Sequence, residues 1–166
     1  MFRYFNIIGL VLIISLQVSI AQTRNQKLGA QSFSGEVTIN ATPARVWEVL
    51  TDVGQLTEIM DYEYVGGAKK FVKVGDDAQV KFWGDTCGFL LVRANPNKEL
   101  RFNLDPDNGS YICNCRWVLT ESGSGTKVWF EERYTESGPQ SQEDLNSQLK
   151  ETNKKFARLK LKAEKK

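Results

Sequence analysis

Histidine is absent from this 166-residue sequence. Its absence excludes Ser-His-Asp and Cys-His nucleophile pairs, histidine metal ligands and proton transfer by histidine. An excess of one charge is also missing, since 22 basic and 20 acidic residues give a net charge of +2. Nucleic acid is therefore not an expected partner, because proteins that bind it usually carry a strong basic field. The 41% hydrophobic and 25% charged composition is typical of one ordinary folded domain.

The N-terminal residues have the pattern of an export signal. Arg3 precedes an apolar run, Ile7–Ala21, that ends with small residues at Ser19 and Ala21. We predict a signal peptide over residues 1–21, a flexible lead over 22–32, and a periplasmic or secreted domain over 33–166. The alternative is an uncleaved membrane anchor, although the run is shorter than the about 20 residues that cross a bilayer.

Three cysteines are present: Cys87, Cys113 and Cys115. An odd number leaves at least one thiol free in an exported protein. Cys113 and Cys115 are two residues apart in a strand-like run, so they share a face at a spacing at or beyond the limit for a disulfide. Small buried apolar side chains are one interpretation, and thiols lining a cavity are the other. No metal site is expected, because the spacing shows no further ligands.

Hydrophobic periodicity predicts one strand, two short helices, six strands and a long C-terminal helix. Thr42-Pro43 marks the start of the first short helix, Pro43–Thr51, and the second covers Gln55–Met60. The long helix is predicted from apolar residues at spacings of three and four: Leu145, Leu149, Thr152, Phe156 and Leu159. The predicted strands are Phe33–Thr42, Tyr62–Phe71, Ala78–Trp83, Cys87–Ala94, Glu99–Leu104, Ser110–Thr120 and Lys127–Thr135.

The segment Glu36–Asp52, EVTINATPARVWEVLTD, resembles the START-like (SRPBCC) superfamily, as does the strand entry Gly125–Val128. This superfamily includes polyketide cyclase/dehydratase-type and lipid-transfer proteins. The resemblance implies an α+β helix-grip fold, in which a seven-stranded antiparallel curved sheet wraps around the long C-terminal helix, with two short helices after the first strand. It also implies a cavity between sheet and helix. It carries over no catalytic residue and no cofactor, because the superfamily shares no catalytic signature.

Strand alternation selects the side chains expected to face that cavity. The predicted lining is Phe82, Phe89, Leu91, Phe102, Tyr111, Cys113, Trp117, Phe130, Glu132, Tyr134, Leu149 and Phe156. The alternative is that these side chains fill the interior and leave no room. Glu132 and Arg93 are the charged residues that alternation can place inside, where each would be a candidate site residue. The alternative for both residues is that their side chains are solvated ions on the protein surface.

Three functions remain open at this stage. The first is an exported protein that holds a small apolar or amphipathic molecule, such as a lipid, with Glu132 or Tyr111 fixing its orientation. The second is a cyclase/dehydratase-type enzyme using Glu132 with Tyr111 or Tyr134 as acid and base. The third is a protein-interaction module that presents Trp129 on the outer sheet face.

The C-terminal segment Lys150–Lys166 contains eight basic and two acidic residues. Such a segment can dock transiently on an anionic membrane surface. It also fits the preference of a helix C-terminus for lysine, which needs no partner.

Overall fold

The computed structural model describes residues 32–134 and 141–165. These residues form seven strands and three helices. The strands are β1 (Ser32–Ile39), β2 (Glu63–Gly67), β3 (Asp77–Phe82), β4 (Asp85–Asn95), β5 (Glu99–Pro106), β6 (Cys113–Ser122) and β7 (Gly125–Tyr134). The helices are α1 (Pro43–Thr51), α2 (Val53–Met60) and α3 (Gln142–Ala163). The predicted signal peptide and most of the predicted lead lie outside the described residues.

All seven strands belong to one sheet with the order β1-β7-β6-β5-β4-β3-β2. Every neighbouring pair is antiparallel, and β2 to β7 follow one another as a meander. The first strand returns to pair with the last, so β1 and β2 are the two sheet edges. The predicted fold class is confirmed: a seven-stranded antiparallel sheet, two short helices after the first strand and a long C-terminal helix.

The short helices follow from two capping residues. The Thr42 side chain accepts a hydrogen bond from the Arg45 backbone N–H, and Pro43 takes the first turn of α1. Asp52 ends α1 and caps α2, because its carboxylate accepts from the Gln55 N–H. The predicted start of the second helix at Gln55 was therefore late by two residues, and Gly54 lies inside α2.

The strand predicted over Tyr62–Phe71 was too long. It begins at Glu63 and ends at Gly67, whose φ of +87° breaks the extended backbone. A Cβ atom there would lie 2.8 Å from the Ala78 Cα, so the close approach of β3 also needs glycine. Phe71 instead sits buried in the following loop, where its N–H donates to the Thr51 carbonyl.

The other strand ends differ from prediction by up to three residues. β1 stops at Ile39 because Thr42 is already the cap of α1, and β6 begins at Cys113 instead of Ser110. Thr135, the predicted end of the last strand, lies outside the described residues.

Helix α3 lies against the inner face of the sheet. Ser141 and Asp144 form a capping box at its start, and Phe156 and Leu159 are buried on the sheet side. Gly35 makes room on β1, since a Cβ atom there would lie 2.9 Å from Phe156 Cε2. None of the described helices is both long and apolar enough to span a bilayer.

Candidate functional site: a buried polar cluster under the long helix

Glu132 lies inside the protein. Alternation along β7 directs Val128, Phe130 and Glu132 to the inner face, and Glu132 is 1% exposed. Its interpretation as a surface ion is therefore wrong.

Arg93, in contrast to Glu132, lies on the outer face of the sheet. A β-bulge between Leu91 and Arg93 changes the alternation of β4, so Arg93 points outward. Its side chain is 56% exposed and pairs with Glu99, with 3.0 Å between Arg93 Nε and Glu99 Oε2. Arg93 is therefore a surface ion, and the hypothesis that it faces the interior is wrong.

Lys155 of α3 is the partner of Glu132. Its Nζ lies 2.5 Å from Glu132 Oε2, and Lys155 is only 7% exposed. The ammonium also lies 5.2 Å from the centre of the Phe130 ring. Burial alone would lower the pKa of Lys155, but the Glu132 carboxylate more than offsets this, so the pKa lies above its ordinary value. The structure therefore holds a charged lysine in the core by means of one carboxylate.

Two thiols complete the inner side of this ion pair. Cys115 is directly opposite Glu132 across β6 and β7, and Cys113 lies two residues earlier on the same face. Glu132 Oε1 is 3.4 Å from Cys113 Sγ and 3.9 Å from Cys115 Sγ, and both cysteines are free. Burial raises the pKa of both thiols. They are consequently protonated donors near neutral pH.

Tyrosines differ in their relation to this cluster. Tyr62 lies beside the Cys115 thiol, and Tyr134 lies next to Glu132; burial first, then these neighbours, raises the pKa of both phenols. Tyr111 lies beside Cys87 instead, and burial, then Cys87 and to a lesser degree Cys113, raises the pKa of its phenol. The structure therefore brings Glu132 together with Tyr134 and not with Tyr111. We define the polar cluster as Tyr62, Cys113, Cys115, Glu132, Tyr134 and Lys155.

Two groups of aromatic rings fill the inner face around the polar cluster. In one, Phe89 contacts Tyr62, Phe71 and Phe102 at ring-centre distances of 5.8, 5.3 and 4.4 Å. In the other, Trp117 lies 4.2 Å from Phe130 and 6.3 Å from Phe156. These rings leave the charged pair in surroundings of low polarity, which strengthens every electrostatic interaction within it.

The residues predicted to line a cavity divide into two sets. Those with under a tenth of their surface exposed are Phe89, Leu91, Phe102, Tyr111, Cys113, Trp117, Phe130, Glu132 and Phe156. The half-buried ones are Phe82, Tyr134 and Leu149. Eleven of the twelve are buried in the core or pack against it, and their role as ligand contacts stays a prediction. Leu149 is the exception, because it lies on the stripe of α3 that carries Lys150 and Ala157 and not on the stripe of Phe156, so its predicted position facing the sheet is wrong.

Lys155 and Tyr62 were missed by the sequence analysis. Lys155 lies three residues after Thr152 and four before Leu159, so helical spacing places it on the buried stripe. A lysine at such a position is a detectable signal, since unpaired lysines are almost never buried. Tyr62 precedes β2 and carries no periodic signal, so only the fold reveals its position.

The outer sheet face does not present Trp129 as a fully exposed docking residue. Trp129 is half-buried, and the Arg116 guanidinium lies 5.5 Å from its ring centre.

In α3, Lys154, Arg158 and Lys162 form ion pairs with nearby carboxylates, in addition to buried Lys155. This pairing reduces the positive charge that the helix can offer to an anionic surface.

Comparison with known proteins identifies the fold. No protein-family model matches the sequence, and no curated protein matches it. Among solved structures, protein CV1439 of Chromobacterium violaceum is 16% identical with a TM-score of 0.63, covering 82% of this chain and 99% of its own. CalU16 of Micromonospora echinospora is 17% identical with a TM-score of 0.60, covering 87% and 86%.

DynU16, a protein of the dynemicin biosynthetic locus, is 17% identical with a TM-score of 0.61, covering 79% of this chain and 46% of its own. At this level of identity the likeness concerns the fold alone. The chain therefore shares with these proteins a fold in which a seven-stranded antiparallel sheet packs against a long C-terminal helix.

Proposed function

We propose that this protein holds a small apolar or amphipathic molecule between the inner sheet face and α3, with the polar cluster contacting the polar end of that molecule. The observation that carries this proposal is the Glu132–Lys155 ion pair enclosed between aromatic rings. A buried ion pair adds little to stability compared with apolar residues of similar volume, because desolvation offsets the attraction. Its presence under α3 therefore fits recognition better than it fits packing.

Unpaired donors near the cluster support the same conclusion. The Trp117 Nε1–H is buried and forms no hydrogen bond to any described residue, and the buried Tyr62 hydroxyl has the Cys115 thiol, a weak acceptor, beside it. Lys155 has three ammonium protons, and its hydrogen bond to Glu132 uses one of them. A ligand carbonyl, hydroxyl or carboxylate group would satisfy such donors, each of which otherwise bears a desolvation penalty of about 1–3 kcal/mol.

Access to the interior is best near the first half of α3. Residues 142–150 are mostly exposed, whereas Phe156 and Leu159 further along are buried. Half-buried Tyr134 ends β7, the strand that carries Glu132. Because Phe89 and Phe130 keep no exposed surface, a ligand would enter by displacing the first half of α3 and reorienting inner side chains.

A direct test is titration with 1-anilinonaphthalene-8-sulfonate, an amphipathic anion suited to Lys155. Wild type is expected to bind the dye saturably, and Lys155→Met to weaken binding by about tenfold, equivalent to about 1.4 kcal/mol. Lys154→Met is the matched control, because Lys154 is the adjacent lysine and pairs on the surface with Glu151. Equal affinities in the three folded proteins, or no saturable binding by wild type, would refute the proposal.

Acid–base catalysis is a second candidate, and one observation favours it. Tyr134, Glu132 and Lys155 converge on one part of the interior. The raised pKa values of Tyr134 and Lys155 make both groups proton donors rather than bases. The test is turnover of polyketide-type carbonyl substrates by wild type and Tyr134→Phe. Turnover that the substitution abolishes would favour catalysis over simple binding.

Export and membrane contact stay predictions. Export depends on residues 1–21, and its test is the mature N-terminus of protein recovered from cell fractions, expected at Gln22. Membrane contact through α3 is tested by sedimentation with anionic phosphatidylglycerol vesicles.

A further inference from the structure

We propose that Cys113, Cys115 and Glu132 form a binding site for a thiophilic divalent cation of the Zn²⁺ type. This site is argued from the strand register that brings the two thiols and Glu132 together, and it does not require a bound amphipathic molecule. No metal site was expected from the sequence, since Cys-x-Cys alone lacks further ligands. The fold supplies the third ligand from the neighbouring strand β7.

Strand pairing creates the juxtaposition. Cys115 and Glu132 are directly opposite each other in the β6–β7 ladder, and Cys113 lies on the same face of β6. The ligand atoms of the three residues all lie within 4.8 Å of one another. A regular antiparallel ladder fixes these positions through its backbone, so the three ligand atoms are preorganised without a loop.

The distances agree with tetrahedral coordination. Cys113 Sγ and Cys115 Sγ are 3.6 Å apart, and Glu132 Oε1 is 3.4 and 3.9 Å from them. Zn–S bonds of about 2.3 Å and Zn–O bonds of about 2.1 Å require S–S and S–O separations of about 3.8 and 3.6 Å. Binding would therefore need shifts of only a few tenths of an ångström.

The surroundings also suit a cation. Lys155 Nζ contacts Oε2 of Glu132, leaving Oε1 directed at the thiols. Tyr62, 6% exposed, lies beside the Cys115 thiol and helps to enclose the site. Two thiolates, one carboxylate and one ammonium sum to a charge of −2, which a divalent ion neutralises. Binding would release both thiol protons.

Ligand chemistry selects the class of ion. Thiolates favour zinc and other thiophilic ions, whereas Mg²⁺ and Ca²⁺ require oxygen ligands. A disulfide between the same cysteines would need the two sulfur atoms to approach to about 2.05 Å, which regular β pairing opposes. We therefore expect the reduced thiols to act together on one ion.

The experiment uses the reduced full chain and the metals alone. Competition with a chromogenic zinc chelator should give one Zn²⁺ per chain, and Cd²⁺ should produce ultraviolet sulfur-to-metal charge-transfer absorption. Cys113→Ser and Cys115→Ser should each raise the zinc dissociation constant at least about 100-fold, since losing outer-shell partners alone costs about 10- to 100-fold. Mg²⁺ should neither bind nor compete.

Cys87→Ser is the matched control, because Cys87 is a third buried free thiol outside the cluster. It should bind zinc as wild type does. Circular dichroism confirms that each variant is folded, and Glu132→Gln supplies a variant with both thiols intact, expected to weaken zinc binding while keeping cadmium–thiolate absorption.

Absence of stoichiometric zinc binding by wild type, or equal loss in Cys87→Ser, would overturn the proposal. Measuring both dye binding and zinc binding on wild type separates the two proposals. The metal proposal fails alone if wild type binds dye but not zinc. The amphipathic-ligand proposal fails alone if wild type binds zinc but not dye.

Discussion

Glu132 and Glu99 are two nearly buried carboxylates on opposite faces of the same sheet. Glu99 lies on the outer face, where Arg101 and Arg116 donate to Oε1 at 2.7 and 2.6 Å, and Arg93 pairs with Oε2. Those arginine side chains are 37% to 56% exposed, whereas Lys155 is 7% exposed. The two sites therefore differ in the solvation of the cation more than in that of the carboxylate.

This difference determines what each site contributes. Solvated arginines lose little hydration when they pair with Glu99, and they remain solvated if it is removed. Lys155 has only the core around it, so it depends on Glu132 completely. The outer cluster, Glu99 with its three arginines, therefore contributes modestly to sheet stability. The inner pair, Glu132 with Lys155, is costly to desolvate, and we assign it to recognition.

The largest expected effect is removal of the inner carboxylate. Glu132→Leu should lower the free energy of unfolding by about 3–5 kcal/mol, because it leaves Lys155 buried without a counter-charge. Urea denaturation followed by circular dichroism measures this change. A loss below about 1 kcal/mol would show that Lys155 reaches solvent and would end the contrast with Glu99.

Replacing both members of the inner pair should reverse most of that loss. Glu132→Leu combined with Lys155→Met removes both desolvated charges and keeps similar volumes, so the double variant should be within about 1 kcal/mol of wild type or more stable. The same denaturation experiment completes a double-mutant cycle. Additive losses from the two single substitutions would contradict the account.

A smaller effect is expected on the outer face. Glu99→Gln should lower the free energy of unfolding by about 1 kcal/mol or less, because Arg101 and Arg116 stay hydrated. The difference from wild type should shrink further in 1 M NaCl, where the screening length is about 3 Å. A loss as large as that of Glu132→Leu would mean that burial of the carboxylate, and not burial of its cation, determines the loss in free energy of unfolding.

The smallest effect is a change in the acid dependence of stability. Burial opposes ionisation of Glu99, but the hydrogen bonds and charges of Arg101 and Arg116 outweigh it and place the pKa below its ordinary value. Its stabilising contribution is therefore complete above the unfolded pKa of about 4.3 and is lost as pH falls through the lower folded value. Denaturation from pH 6 to pH 2 should show a shallower decline for Glu99→Gln than for wild type. Parallel curves would contradict this.

Most of the architecture could be predicted from local patterns. Alternation in the first strand and strand-like runs bounded by turn residues in the other six identified all seven strands, and Thr42-Pro43 fixed the start of α1. Errors arose where one residue overrode a pattern: Gly67 ended β2 through its positive φ, and Asp52 served as a cap for two helices. Such features depend on backbone conformation that hydrophobic periodicity does not report.

The candidate site was only half predictable. Glu132 could be named as a candidate because one of the two parities of the last predicted strand places it inside with Val128 and Phe130. The parity that would place Arg93 inside fails because a bulge shifts β4. The contact of Glu132 with Lys155 depends on the rotation of α3 against the sheet, across 23 residues of sequence. That rotation is set by packing around Phe156 and Gly35, which no single segment encodes.

Native mass spectrometry of the purified protein tests the recognition role of the inner pair most directly. Wild type should carry a small organic molecule that solvent extraction removes. The Glu132→Leu, Lys155→Met double variant should be equally folded and free of that molecule. Equal occupancy in both proteins, or no bound molecule in wild type, would contradict the assignment of the buried pair to ligand recognition.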